Sequence, residues 1–246
     1  MKSVLITGAN KGIGLETAKQ LLEKGFHVYL GSRDLKNGQE AVDKLRLQGL
    51  TSVEAVQLDV TDEESVKAAR STIGKKTEVL DVLINNAGIH GGKPPYTALE
   101  ARPEQFAAAF NTNVIGVARV TAAFIDLLQK SPEPRIVNVT TSVGSSSLQS
   151  NPDWPMYNYA KYAVYASSKA ALNMYTIQLA YELRNTSFKI NAVCPGYTKT
   201  DFTGNNGGEV EDAGRRIAKY AMISQDGPTG KYFSEESNPE GGEIPW

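Results

Sequence analysis

One cysteine and two histidines in 246 residues leave little material for redox or metal chemistry. Cys194 has no partner for an intramolecular disulfide, and with only His27 and His90 beside it the usual ligands of a structural zinc site are too few. A reducing compartment is the simplest reading. Excess charge is missing too: 26 Lys and Arg against 27 Asp and Glu leave a net charge of −1, so no field draws the chain to nucleic acid or to an anionic membrane. No apolar run approaches the roughly 20 residues that a bilayer requires. The opening MKSVLITGAN meets a glycine before a signal-peptide core could form. The expectation is a cytoplasmic protein with neither a nucleic-acid nor a membrane partner. Linker composition and internal repeats are absent as well, which favours one domain over residues 1–246.

What is present is an alternation. Short runs rich in Val, Ile and Leu at Val4–Thr7, His27–Gly31, Val53–Leu58, Val79–Ile84, Arg135–Val139 and Lys189–Val193 read as strands. Between them Gly12–Lys24, Leu35–Gln48, Asp62–Lys75, Pro103–Lys130 and Tyr165–Arg184 read as helices. Strands buried on both faces and joined by helices form a parallel sheet with right-handed crossovers, so the fold class is α/β, a single doubly wound domain. Ser145–Pro155 and Thr203–Glu209 break the alternation with Gly, Ser, Asn and Pro. Each follows a strand, at the edge where open α/β sheets bind ligands.

TGANKGIG, Thr7–Gly14, leaves the first strand and opens the first helix. In that context Gly8, Gly12 and Gly14 let backbone amides approach a pyrophosphate, with Asn10, Lys11 and Ile13 in the same loop. The spacing is not the usual Gly-x-Gly-x-x-Gly, and a tight turn alone would also favour glycine. At the end of the second strand an acid selects NAD and a base selects NADP. HVYLGSRD places Arg33 there, with Lys11 as a second cation, and NADP is favoured. Asp34 is read as the N-cap of the next helix.

NNAG at Asn85–Gly88, NTNVIG around Asn113, IVNVTTS at Ile136–Ser142 and CPGYTKTD at Cys194–Asp201 follow in order, with a Tyr-x-x-x-Lys between the last two. Together with TGANKGIG these resemble the short-chain dehydrogenase/reductase family over nearly the whole chain. GANKGIG, GSRD and GPTGKYFSEE are similar to its carbonyl reductase group. The resemblance implies a Rossmann-type domain with a seven-stranded parallel sheet flanked by helices. It also implies that Gly8, Gly12, Ile13 and Gly14 line the pyrophosphate and that Asp59, next to Val60, meets the adenine. Asn86, Ala87 and Gly88 would lie along the adenosine ribose, and Pro195, Gly196, Thr198 and Thr200 would hold the nicotinamide end.

Two pairs have the required spacing, Tyr157 with Lys161 and Tyr165 with Lys169. In the family the pair begins a long helix leading to the strand before the Pro-Gly motif, which Tyr165 and Lys169 satisfy. Tyr157 follows NPDWP, in what reads as an insertion near 145–163 on the cleft side. Lys169 is expected to lower the phenol pKa of Tyr165. It would also hydrogen-bond the nicotinamide ribose, while Asn113 holds a water linking Lys169 to solvent. Ser142 is the first choice for the hydroxyl that orients the substrate, with Thr141 the alternative. The expected activity is NADPH-dependent reduction of a ketone or aldehyde, reversible, on a small-molecule carbonyl or alcohol substrate. A non-catalytic NADP-binding sensor or scaffold is the alternative, and an epimerase or dehydratase ranks third. The insertion is expected to shape the substrate pocket and to obstruct the helix surface through which relatives associate, so a monomer is slightly favoured over a homodimer.

Overall fold

The computed structural model describes all 246 residues. Its strands are β1 (Ser3–Ile6), β2 (His27–Ser32), β3 (Val53–Gln57), β4 (Val82–Asn85), β5 (Arg135–Val139), β6 (Lys189–Val193) and β7 (Lys231–Phe233). They form one seven-stranded sheet in the order β3-β2-β1-β4-β5-β6-β7. Every pairing is parallel, with Val4 opposite both Val28 and Val82. Strand β7 is the one that periodicity does not announce, since three residues are too few to show a period.

The helices are α1 (Gly12–Glu23), α2 (Leu35–Leu47), α3 (Glu63–Gly74), α4 (Pro103–Phe110), α5 (Gly116–Leu128), α6 (Ser146–Gln149), α7 (Ala163–Glu182) and α8 (Val210–Ala221). Alternate strand residues face opposite layers. Val4 and Ile6 of β1 pack with Leu21 of α1, Val42 of α2 and Ile217 of α8. Leu5 points the other way, into a core with Val66 of α3, Phe124 of α5 and Ala180 of α7. Both faces of the sheet are thereby covered, and the open ground for a site lies at its carboxyl edge.

Three differences from the sequence reading have physical causes. The span Pro103–Lys130 is not one α-helix: a π-helical turn, Asn111–Ile115, separates α4 from α5. Helix α8 starts just past the polar cluster Thr203–Glu209 and buries Ala213, Gly214, Ile217, Ala218, Tyr220 and Ala221, a face made mostly of small residues set among many charged ones. Finally, Pro103–Leu128 is long and apolar enough to cross a membrane by length and composition, contrary to the expectation. Its apolar side chains Val120, Phe124 and Leu127 lie in the domain core, and Arg70 pairs with its Asp126, so internal packing accounts for its composition.

Candidate active site

The sheet order reverses between β1 and β4, and a cleft of about 630 Å³ opens at that switch point, beyond the carboxyl ends of the strands. Its floor at one end is the glycine loop. Gly8 and Gly12 have φ of +63° and +56°, in the left-handed region that side chains resist. Gly14 is bare for another reason: a Cβ there would lie 2.5 Å from Asn86 Nδ2 and 2.8 Å from the Gly8 carbonyl oxygen. Asn86 in turn donates from Nδ2 to the carbonyls of Thr7 (2.9 Å) and Gly8 (3.1 Å), fastening NNAG to the loop.

Helix α1 begins in this loop with no side-chain cap and no acid in its first turn, whereas α2 and α3 are capped by Asp34 and Asp62. An uncapped N-terminus beside a cleft presents N–H donors and a positive dipole end to an anion. The residues present therefore fit a dinucleotide pyrophosphate. Asn10, Ile13 and Arg33 line the cleft beside them. Asp34 accepts from the Asn37 N–H at 3.0 Å, so its carboxylate serves α2 as expected. Lys11 lines the cleft too, with its ammonium 2.8 Å from Asp201. Both partners are exposed, and such a pair yields readily to a phosphate. Asp59 uses Oδ1 to accept from the Thr61 N–H and hydroxyl, at 2.9 and 2.7 Å, which leaves Oδ2 free in a residue that lines the cleft with Val60.

Tyr165 stands in the first turn of α7 and Lys169 one turn on, both in the cleft wall, with Lys169 Nζ 5.8 Å from the phenol ring centroid. Lys169 is 3% exposed and donates to the Val139 carbonyl at 2.8 Å. Burial pulls its pKa from 10.5 down to about 8. The same enclosure pushes the Tyr165 phenol well above its ordinary value. This runs against the expectation that the lysine lowers the phenol: the cost of desolvating a phenolate, to which Cys194 adds, sets the direction of the shift.

Asn113 is fully buried in the π turn. It donates from Nδ2 to the Ile89 carbonyl and to Ser168 Oγ, both at 2.9 Å, and accepts from the Ile89 N–H at 2.9 Å. Both amide hydrogens are engaged, so the side chain first of all clamps the segment after β4. Gly88 keeps the ground between Asn113 and Lys169 clear: a Cβ on it would lie 3.3 Å from Asn113 Oδ1 and 3.5 Å from Lys169 Nζ.

Beyond β5, Thr140 lines the cleft but donates to Asn173 at 2.8 Å. Thr141 accepts from the Val143 N–H at a long 3.4 Å, while the hydroxyl of the buried Ser142 has no protein partner. Tyr232 donates to the Thr141 carbonyl and fixes this turn from β7.

Among the other expected residues, Ala87, Gly88, Pro195 and Thr200 line the cleft, whereas Asn113, Ser142, Gly196 and Thr198 are close in the chain to lining residues without being part of the lining themselves. Gly196 turns the chain at φ +91°, and Thr198 is buried with its hydroxyl on the Gly196 carbonyl at 3.0 Å. Glu236 accepts from the Tyr197 N–H at 2.9 Å, so the segment after β7 braces the Pro-Gly turn. Of the insertion, residues 145–161 stand outside the cleft, and Tyr162 at its end reaches the His90 ring, with centroids 6.4 Å apart. Sequence reasoning missed His90 and Phe202, which stack beside Tyr165. Their one signal was position, each just beyond a motif at the carboxyl edge of a strand.

A doubly wound parallel sheet, a glycine loop at its switch point and a Tyr–Lys pair one helical turn apart define a dehydrogenase-type domain. A family model for short chain dehydrogenase matches residues 2–210, and the chain belongs to that family of oxidoreductases. It is 36% identical to (-)-isopiperitenone reductase of Mentha piperita, over 94% of this chain and 96% of that one. It is 33% identical to (+)-neomenthol dehydrogenase of Capsicum annuum, over 93% and 94%. Among solved structures, NADPH-bound carbonyl reductase from chicken fatty liver superposes with a TM-score of 0.84 at 29% identity, over 100% of this chain and 99% of that one.

Proposed function

We propose that this chain is an NADPH-dependent carbonyl reductase, converting a ketone or aldehyde to an alcohol and running in reverse as an alcohol dehydrogenase. The observation that carries the reading is the Tyr165–Lys169 pair, set in the wall of the same cleft whose other end presents Arg33 and an uncapped helix. The cofactor, when bound, supplies the hydride. Arg33, and Lys11 once it leaves Asp201, would hold the 2′-phosphate that distinguishes NADP from NAD. The NADPH-bound chicken enzyme and the two relatives named above support the same assignment.

Tyr165 holds its proton at neutral pH as any phenol does, and burial disfavours its phenolate further. A protonated phenol can pass that proton to a carbonyl oxygen as negative charge develops on it. Lys169 has one N–H on the Val139 carbonyl and two left, one for a ribose hydroxyl and one for a relay water, while its charge, 5.8 Å from the phenol ring centroid, stabilises the phenolate that remains. The ground that Gly88 leaves clear admits a water between Lys169 and an acceptor on Asn113, the route by which the proton is replaced. Ser142, whose hydroxyl is uncommitted, orients the carbonyl, with Thr141 as the other candidate.

The test is absorbance at the reduced-nicotinamide band with a panel of ketones and aldehydes, NADPH and NADH in parallel. NADPH is consumed and NADH is not, and Arg33→Ala narrows the difference. Tight NADPH binding with no carbonyl reduced would overturn the reductase reading in favour of a sensor.

A further inference from the structure

Five rings cluster beside the Tyr165 end of the cleft, Tyr165 and Phe202 in its lining and His90, Tyr96 and Tyr162 packed next to them. His90 is their hub. It stacks on Phe202 with centroids 3.8 Å apart and planes 27° from parallel, and lies 5.0 Å from Tyr165 and 5.8 Å from Tyr96. Its Nε2 is 3.0 Å from the Phe202 carbonyl, which can only accept, so Nε2 carries the hydrogen and Nδ1 is a bare lone pair. That Nδ1 is buried without a partner. Buried ring nitrogens are ordinarily hydrogen-bonded, so this histidine is poorly explained by packing alone.

Phe202 is 39% exposed and its ring lies 5.5 Å from that of Tyr165. It belongs to a single turn of 3-10 helix, Asp201–Thr203, followed by Gly204 and Asn205, both at φ +62°. A side chain on a short surface turn thus covers the phenol assigned above as proton donor. His90, by contrast, follows Ile89, whose N–H and carbonyl are both clamped by the buried Asn113. Burial lowers the pKa of His90, which favours its neutral ring at neutral pH.

We infer that His90 and Phe202 determine substrate choice: the Phe202 ring occupies the place of a flat, uncharged aryl group of the substrate, which takes over its stacking on His90 when the turn moves aside. Aromatic stacking supplies the preference for a flat ring. A keto acid is rejected because its carboxylate would lose water against aromatic rings. This rests on the reductase reading above.

Three ketones decide it: acetophenone, its cyclohexyl methyl analogue with the same carbon skeleton, and phenylglyoxylate. With NADPH-saturated protein, kcat/KM for acetophenone exceeds that for the cyclohexyl ketone by about three- to tenfold, the range an aromatic pair supplies, and phenylglyoxylate is the poorest. His90→Leu brings the first ratio to within about twofold of unity, and His90→Phe, which keeps a ring, restores it. Phe202→Ala retains the aryl preference and lowers KM for both neutral ketones, since no ring must be displaced. A wild-type ratio near one, or a His90→Leu protein that keeps the ratio, overturns the inference while leaving the reductase reading intact. Calorimetry on NADPH-saturated Tyr165→Phe protein, with and without His90→Leu, reads the same discrimination as binding. If no ketone is reduced but this binding preference is present and lost with His90, the reductase reading falls and the ring recess stands. Absence of the preference in binding sinks the recess whatever the turnover.

Discussion

The chain carries two Tyr-x-x-x-Lys pairs eight residues apart, identical in spacing and unlike in everything that surrounds them. Tyr157 stands in a turn of the insertion and Lys161 in the irregular stretch after it, both outside any helix. Lys161 lies over the Tyr157 ring, 3.9 Å from its centroid, and donates to the Gln149 carbonyl and side-chain oxygen, both at 3.0 Å. Its ammonium is exposed and spent on local contacts. Tyr165 and Lys169 stand on α7, which the strand and helix layers hold against β5, and Lys169 is buried there with two N–H groups uncommitted. The lesson is that spacing only proposes a pair. A helix must set the two side chains on one face, and a core must strip them of water, before an ammonium and a phenol can share a proton's work.

The sharpest way to break that contrast is to remove each phenol. Tyr165→Phe lowers kcat about 10²- to 10⁴-fold in the NADPH-consumption assay, the contribution of a positioned general acid, while Tyr157→Phe leaves it within about twofold. Equal losses in both variants would show that the wrong pair had been chosen. Lys169→Met costs about 10- to 150-fold in kcat/KM, the worth of hydrogen bonds from a charged group, and raises KM for NADPH as well. Lys161→Met changes neither by more than about twofold. Next comes the hydroxyl: Ser142→Ala lowers kcat about two- to tenfold, as loss of one neutral hydrogen bond requires, and Thr141→Val has the smaller effect. The reverse order would give Thr141 the orienting role.

Acid–base linkage separates the two lysines without any substrate. The folded-state pKa of Lys169 is lowered from 10.5 to about 8, so between those values the unfolded chain binds a proton that the folded chain does not. Stability therefore rises with pH across that window, by at most about 1.4 kcal/mol per pH unit, and the penalty of the buried charge is present in full below it. Urea unfolding of cofactor-free protein shows this rise, and Lys169→Met protein lacks it. In Lys161→Met protein the rise persists. The smallest effect expected is on the stability of the exposed pair itself: Tyr157→Leu removes a surface cation–π contact and costs about 0.5–1 kcal/mol, read from the same urea curves.

Much of this was legible in the sequence because it rests on short-range signals. Six strands are apolar runs, and the glycine loop lies where a strand meets a helix. The choice of Tyr165 over Tyr157 followed from the long helical run that continues to β6 after one and from Pro152 and Pro155 before the other. What stayed hidden depends on distant partners. β7 has three residues and is defined by pairing with β6. His90 and Phe202 are 112 residues apart, brought together by two loops whose paths no local pattern fixes. The direction of the Tyr165 shift was misread because charge is visible in a sequence and burial is not.

The π turn at Asn111–Ile115 works like a vernier on the long helical segment that contains it. Helix α4 buries Gln105 and Ala109, and α5 buries Val117, Val120, Phe124 and Leu127. At about 100° per residue those two sets would stand roughly 60° apart on a continuous α-helix. The extra residue of the π turn sets α5 back by about 100° relative to α4, and Asn113, within it, is carried fully inward. Loss or gain of a single residue here would swing all of α5 out of phase, whereas the loops on either side can change length freely. Variation in chain length among related proteins should accordingly stop at both edges of NTNVI.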